Sequence, residues 1–170
     1  MKPTSQHWLH CRTPTPLGTL TLARTERGLC GAWFEQQQHA PQPSEQAQWT
    51  RVTSQTWLVQ AQQELTEYFA GQRLVFDVPL DLTRGTPFQQ SVWQALLGVP
   101  CGHTSTYGRL ARQLQNPRAV RAVGAAVGRN PVSIIVPCHR VLGSKGQLTG
   151  YAGGLWRKQA LLQGENPSPP

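Results

Sequence analysis

Apolar and polar residues alternate with a period of two through residues 18–25 (GTLTLART) and again through 28–35 (GLCGAWFE). That period belongs to half-buried strands, and the break at Glu26–Arg27–Gly28 predicts a hairpin between them. Residues 36–48 (QQQHAPQPSEQAQ) lose the alternation and read as a polar surface loop. From Trp49 to Ala70 the spacing changes to that of a helix, with Val52, Trp57, Leu58, Ala61, Leu65, Tyr68 and Phe69 on one stripe that Gly71 ends. Residues 74–80 (LVFDVPL) are apolar enough for a further strand, which Pro79 pushes to a sheet edge.

The second half is punctuated for helices. Thr86–Pro87–Phe88–Gln89 places a capping Thr, a Pro at the first helical position and a Gln at N3, so a helix should begin there and run through Val92, Trp93, Leu96 and Leu97 to Gly98. A second helix is predicted over 106–114, ended by Asn116–Pro117, and a third from Pro117 through 128, ended by Asn130–Pro131. Two short helices joined by a tight Asn–Pro turn outline a helix-turn-helix, although a plain structural pair has the same pattern. The expected fold class is therefore α+β: a sheet-plus-helix domain over 1–83, then a mostly helical domain over 84–170 carrying the helix-turn-helix.

Charge separates the same two halves. Residues 1–83 hold six basic and seven acidic side chains, whereas 84–170 hold ten Lys and Arg against one acid, giving the overall net charge of +8. A polyanion suits the second half, nucleic acid before membrane, because no basic amphipathic helix with an aromatic face is evident; the bland alternative is a basic surface kept for solubility. Nothing reads as a membrane span or a secretory signal, so a cytoplasmic protein with reduced thiols is expected. Within the third helix Ala119, Ala122, Gly124, Ala125, Ala126 and Gly128 lie between Arg118, Arg121 and Arg129. A face of small residues with few Asn or Gln forks suits a shallow, sequence-indifferent approach through the minor groove, or else tight helix packing.

Candidate chemistry follows directly, at Ile134–Ile135–Val136–Pro137–Cys138–His139–Arg140–Val141. A thiol is a nucleophile as thiolate, and basic neighbours such as His139 and Arg140 should lower its pKa. A His base needs a third group to orient it. Glu165 is the only acid in residues 84–170, so a Cys–His–carboxylate relay confined to this half must use it. Taken alone, a Cys–His pair is more often structural than catalytic.

Pro137–Cys138–His139–Arg140–Val141, with Asn130–Pro131 and Arg121–Ala122–Val123–Gly124 before it, resembles the active-site region of the O6-alkylguanine-DNA alkyltransferases, the methylated-DNA–protein-cysteine methyltransferases. The resemblance continues through residues 85–89, Val92–Trp93, Thr106–Tyr107–Gly108, Tyr151–Ala152–Gly153–Gly154 and Leu161–Leu162 to Glu165, and touches the first half loosely at residues 15–20. It implies stoichiometric transfer of an alkyl group from O6-alkylguanine, and from O4-alkylthymine, in double-stranded DNA to Cys138. His139 would take the thiol proton through a water, and Glu165 would fix the His139 tautomer. Asn130 would brace the turn before the Cys138 loop, and Tyr107 would donate a proton toward the base. Arg121 would fill the space of the flipped nucleotide, with Ala119, Ala122 and Gly124 against the groove. Val141, Tyr151 and Ala152 would line the pocket. No cofactor is expected, nor a metal, since His7, His10 and Cys11 lack a fourth ligand; a monomer is expected in solution. A lesion-binding protein of the same fold that transfers nothing, and a Cys–His–Glu hydrolase, are the competing readings. Ser133 and Ala152 depart from the commoner Pro and Ser of the family, at the border of the alkyl pocket.

Overall fold

The computed structural model describes residues 7–166. Strands β1 (Leu9–Thr13), β2 (Leu20–Arg24), β3 (Leu29–Phe34) and β4 (Thr50–Arg51) form one sheet in the order β3-β2-β1-β4. The hairpin expected from the alternation is β2–β3, antiparallel with Leu20 opposite Phe34 and an irregularity at Ala23/Arg24. β1 pairs antiparallel with β2, and β4 runs parallel to β1.

Three expectations for this half are corrected. The helical stripe assigned from Trp49 starts later: α2 spans Thr56–Phe69, capped by the Gln55 side chain on the backbone N–H groups of Trp57 and Leu58. Thr50–Arg51 instead extends the sheet, with Thr50 N–H donating to the Trp8 carbonyl and Val52 N–H to the His10 carbonyl (2.9 Å each). Residues 74–80 form no strand; only Leu80 bridges to Leu29, because Pro79 has no N–H to donate. The polar loop 36–48 contains one helical turn, α1 (Pro43–Gln46).

Both faces of the sheet are covered. α2 lays Leu58, Ala61, Leu65 and Tyr68 on the face that carries Cys11, Leu20, Leu22 and Phe34. Trp8, Cys30, Trp33 and Trp49 cluster on the other.

In the second half α3 (Pro87–Leu97) begins with the capping box read from Thr86 and Gln89. It is followed by β5 (Ser105–Thr106), α4 (Tyr107–Gln113), α5 (Val120–Gly128), a 3-10 turn at Cys138–Arg140, β6 (Val141–Leu142), parallel to β5, and α6 (Leu155–Glu165). The third helix starts at Val120, not Pro117, with Asn116–Ala119 forming a turn closed by Ala119 N–H on the Asn116 carbonyl (3.0 Å). α5 buries Val123, Ala126 and Val127, and Trp93 of α3 donates its indole N–H to the Ala126 carbonyl (2.8 Å).

The two halves share one hydrophobic core: Leu20, Phe34 and Leu65 belong to the same buried cluster as Val92, Leu110, Val123, Ile134 and Leu161. The seam is hydrogen-bonded as well. Ala32 N–H donates to the Pro131 carbonyl (2.9 Å) and Ser133 N–H to the Ala32 carbonyl (3.0 Å), so the segment before Cys138 docks on the outer edge of β3. An open sheet edge is thereby covered and the reactive segment anchored by the same bonds.

Candidate active site

Cys138 opens a single 3-10 turn at the end of a segment that is buried from Val132 to Val141, apart from a half-exposed Pro131 before it. Asn130 (3% exposed) holds that segment in shape. Its amide N–H₂ donates to the Val136 carbonyl (2.7 Å) and the Val132 carbonyl (3.4 Å), while its oxygen accepts from Val132 N–H (3.0 Å). Both ends of the amide are used, so no apolar replacement of the same size could make these bonds. Ile134 sits inside the loop at φ 74°, a left-handed conformation that a β-branched residue adopts only when its surroundings impose it.

His139 and Glu165 come together through a hydrogen bond, and Cys138 precedes His139 in the same 3-10 turn. His139 is fully buried and shares a 2.7 Å hydrogen bond through Nε2 with Glu165 Oε1. Burial opposes ionisation of Glu165, but hydrogen bonds from His139 and Arg140 prevail and hold the carboxyl at about 2. An ionised carboxylate only accepts, so Nε2 carries the proton and Nδ1 keeps a lone pair. Nδ1 is buried without a partner in the protein. Burial also lowers the His139 pKa, against the pull of Glu165, so the ring is a neutral base at pH 7.

The expectation that basic neighbours lower the Cys138 pKa is not met. Burial pushes the thiol up to about 11, and the Asn130 hydrogen bond and the Lys158 charge only partly offset it. Arg140, adjacent in sequence, turns away from the sulfur: its Nε and Nη2 donate to Glu165 (3.0 and 2.7 Å) and Nη1 to the Val99 carbonyl (2.7 Å). The cation nearest in effect is Lys158, twenty residues on. It is fully buried, with Nζ donating to the carbonyls of Val141 (2.6 Å), Thr149 (3.0 Å) and Gly150 (3.4 Å).

Cys138 looks into a cavity of about 330 Å³ whose walls include Tyr107, Gly124, Val127, Thr149, Tyr151 and Ala152. That volume accommodates one heteroaromatic ring with a substituent. Tyr107, at the start of α4, accepts a hydrogen bond from Thr149 Oγ1 (3.1 Å), which leaves its own hydroxyl hydrogen free. Val141 does not face the cavity: it is a β6 residue paired with Ser105, and it contributes a carbonyl to Lys158. The first half supplies a wall that the sequence reading missed. Gln38 and His39 line the cavity, Gln38 N–H donates to the Ala152 carbonyl (3.0 Å), and buried Gln37 accepts from Ser133 Oγ (3.0 Å).

α5 lies at the rim of the cavity through Gly124, Val127 and Gly128. Arg118, Arg121, Ala122, Ala125 and Arg129 are exposed, and Ala119 is half-buried at the helix N-cap. Small side chains and guanidinium groups therefore share the open face, beside the entrance to the cysteine. Among the described residues no three His, Cys, Asp or Glu side chains converge as metal ligands, and no helix is long and apolar enough to cross a membrane.

A buried cysteine, a histidine–glutamate pair and a basic helix-turn-helix around one ring-sized cavity define a DNA-directed cysteine transferase. Residues 11–82 match the ribonuclease-like domain of the 6-O-methylguanine DNA methyltransferases, and residues 87–167 match the DNA-binding domain of the same proteins. The chain is 47% identical over 163 residues to a methylated-DNA–protein-cysteine methyltransferase of Mycobacterium tuberculosis, covering 95% of each protein. It is 45% identical over 150 residues to that of Methanosarcina mazei, covering 88% of this chain and 91% of the relative. A crystal structure of the Mycobacterium tuberculosis O6-methylguanine methyltransferase superposes with a TM-score of 0.82 at 46% identity, over 96% of this chain and 94% of that one. A second structure, of the same organism's OGT in complex with DNA, also gives 0.82, over 94% and 92%. The chain belongs to the methylated-DNA–protein-cysteine methyltransferase family.

Proposed function

We propose that this protein repairs DNA by moving an alkyl group from O6 of guanine in duplex DNA onto Sγ of its own Cys138. The observation that carries this reading is Cys138 in the wall of a cavity the size of one base, next in the chain to a His139 that Glu165 holds by a 2.7 Å hydrogen bond.

The thiol proton passes to His139 Nδ1, through a water, as the substrate carbon approaches; the resulting imidazolium is stabilised by Glu165. The thiolate attacks the alkyl carbon in line, so the S–C bond forms as the C–O6 bond breaks. Negative charge develops on the guanine, and the Tyr107 hydroxyl donates a proton to the ring. The imidazolium proton returns to the phenolate through solvent, leaving neutral guanine and a thioether. O4-alkylthymine presents the same O-alkyl carbon and is a second substrate.

The alkyl carbon is out of reach in a stacked duplex, so the nucleotide must be extruded. Arg121 occupies the vacated space, and Ala119, Ala122 and Gly124 let α5 approach the minor groove without reading sequence. The labour divides at residue 83/84: the second half carries DNA contact and alkyl acceptance, and the first half carries the sheet that anchors them. The protein acts on DNA as a cytoplasmic monomer without a cofactor.

Incubation with an O6-methylguanine duplex, followed by mass analysis of peptides, tests the reading. The methyl group is expected on the peptide containing Cys138; its presence on another cysteine, or its retention in the DNA, overturns the assignment.

A further inference from the structure

The relay has a member from the other half of the chain. Tyr68, in the last turn of α2, donates its hydroxyl hydrogen to Glu165 Oε1 at 2.8 Å. The two residues are 97 positions apart, and Tyr68 is 9% exposed, its ring packed edge-on against Phe69 and tilted against Phe76. Glu165 Oε1 therefore receives hydrogen bonds from three residues: Tyr68, His139 through Nε2, and Arg140 through Nη2 and Nε. We propose that Tyr68 is a positioning residue of the alkyl-transfer site, setting how strongly Glu165 supports a proton on His139; this rests on the reading of Cys138 as acceptor.

Each donor on Oε1 draws off part of the carboxylate charge. The portion spent on Tyr68 is not available to stabilise the His139 imidazolium, so the phenol makes His139 a weaker base than a bare His–Glu pair. The hydroxyl stays a donor throughout the working range, because burial and the neighbouring Glu165 charge push the phenol well above its ordinary value. The other charged or titratable groups facing this cluster are Arg140, Lys158, Cys101 and Tyr151. None of them comes from the first half, which leaves Tyr68 as that half's direct contact with the relay among the described residues.

The rate of methyl transfer from an O6-methylguanine duplex, measured against pH, reads the effect. Tyr68→Phe keeps the ring and removes the donor; the acid limb of the profile, which reports neutral His139, should move up by about half a pH unit. Replacing Tyr68 by 3-fluorotyrosine, a stronger donor of nearly the same volume, should move it down, and serves if the Phe variant does not fold. In a Glu165→Gln background Tyr68→Phe should produce no further displacement. A Tyr68→Phe or fluorotyrosine profile that superimposes on the wild type, whatever happens to the melting temperature, reduces Tyr68 to packing. The ring resonances of His139 titrate whether or not methyl is transferred. An immobile His139 pKa would therefore sink this proposal alone, whereas a wild type that transfers nothing would sink the acceptor assignment alone.

Discussion

Cys138 is asked to be both buried and nucleophilic, and the two demands oppose each other. Burial keeps the sulfur protonated, at about 11, which guards it against oxidation and stray electrophiles. Attack then requires a base at the moment a substrate is in place, and His139 with Glu165 supplies one. Cys138→Ser should retain DNA binding and lose transfer, because a hydroxyl is far harder to ionise; gel-shift and methyl-transfer assays on the same preparation separate the two, and transfer by the Ser variant would remove Cys138 as acceptor. Glu165→Gln should slow transfer by about a hundredfold or more by depriving His139 of its counter-charge. The same substitution has an acid signature. Glu165 is held at about 2 against an ordinary 4.5, so the stability it confers is complete above 4.5 and is lost as pH falls towards 2. The gap in melting temperature between wild type and Glu165→Gln should therefore be constant near neutrality and close between those values. A gap that persists unchanged to pH 2 would mean the carboxylate charge contributes nothing to the fold. The motif around Cys138 displayed the nucleophile and its base, but Tyr68, Lys158 and the turned-away Arg140 were not legible. Their roles depend on contacts spanning up to 97 residues and on burial, neither of which a local pattern encodes.

Elements were legible where backbone chemistry marks their ends. The capping box at Thr86 fixed the start of α3, and the alternation in β2 and β3 fixed their pairing. β1 escaped because its alternation, Leu9 and Cys11 against His10 and Arg12, is too short to stand out, and α6 because about half its residues are polar and only Lys158 and Leu161 are buried. Lys158 is a residue no periodicity argument would place in a core. α5 shows how one short element serves two surfaces. Val123, Ala126 and Val127 lock it to the core, while Arg121 and Ala122 are exposed. Close packing is seen on the buried face of this helix, and close approach to a partner is what we propose for the exposed one. Removing the guanidinium should expose the partner function: Arg121→Ala should lower repair of duplex DNA by at least about tenfold, yet leave reaction with free O6-alkylguanine base nearly unchanged, since the free base needs no extrusion. Rates on the two substrates measured side by side decide it, and parallel losses would count against insertion of Arg121 into the duplex.

At the scale of the whole molecule the two halves behave as one body around the cysteine. The outer edge of β3 holds residues 131–133, Gln37 and Gln38 clasp Ser133 and Ala152, and Tyr68 reaches Glu165. Those contacts brace the walls around the Cys138 cavity. Alkyl transfer converts Cys138 to a thioether, which has no good leaving group, and neither His139 nor Glu165 can restore the thiol. Each molecule should react once, so a titration of alkylated duplex against protein should plateau at one alkyl group per chain; continued turnover would overturn the stoichiometric mechanism. The added carbon also lands where Asn130, Ile134 and Val136 already hold the loop in an imposed conformation. Overpacking of this kind costs about 1–3 kcal/mol, and the alkylated protein should melt several degrees below the unreacted one. Because Asn130 follows directly on the C-terminal end of α5, displacement of the loop should pass to the DNA-facing helix and weaken binding. Paired measurements on unreacted and methylated protein, by thermal melting and by DNA affinity, check both consequences. Lower stability with unchanged affinity would confine the strain to the loop, and unchanged melting would show that the cavity absorbs the methyl group without displacing its walls.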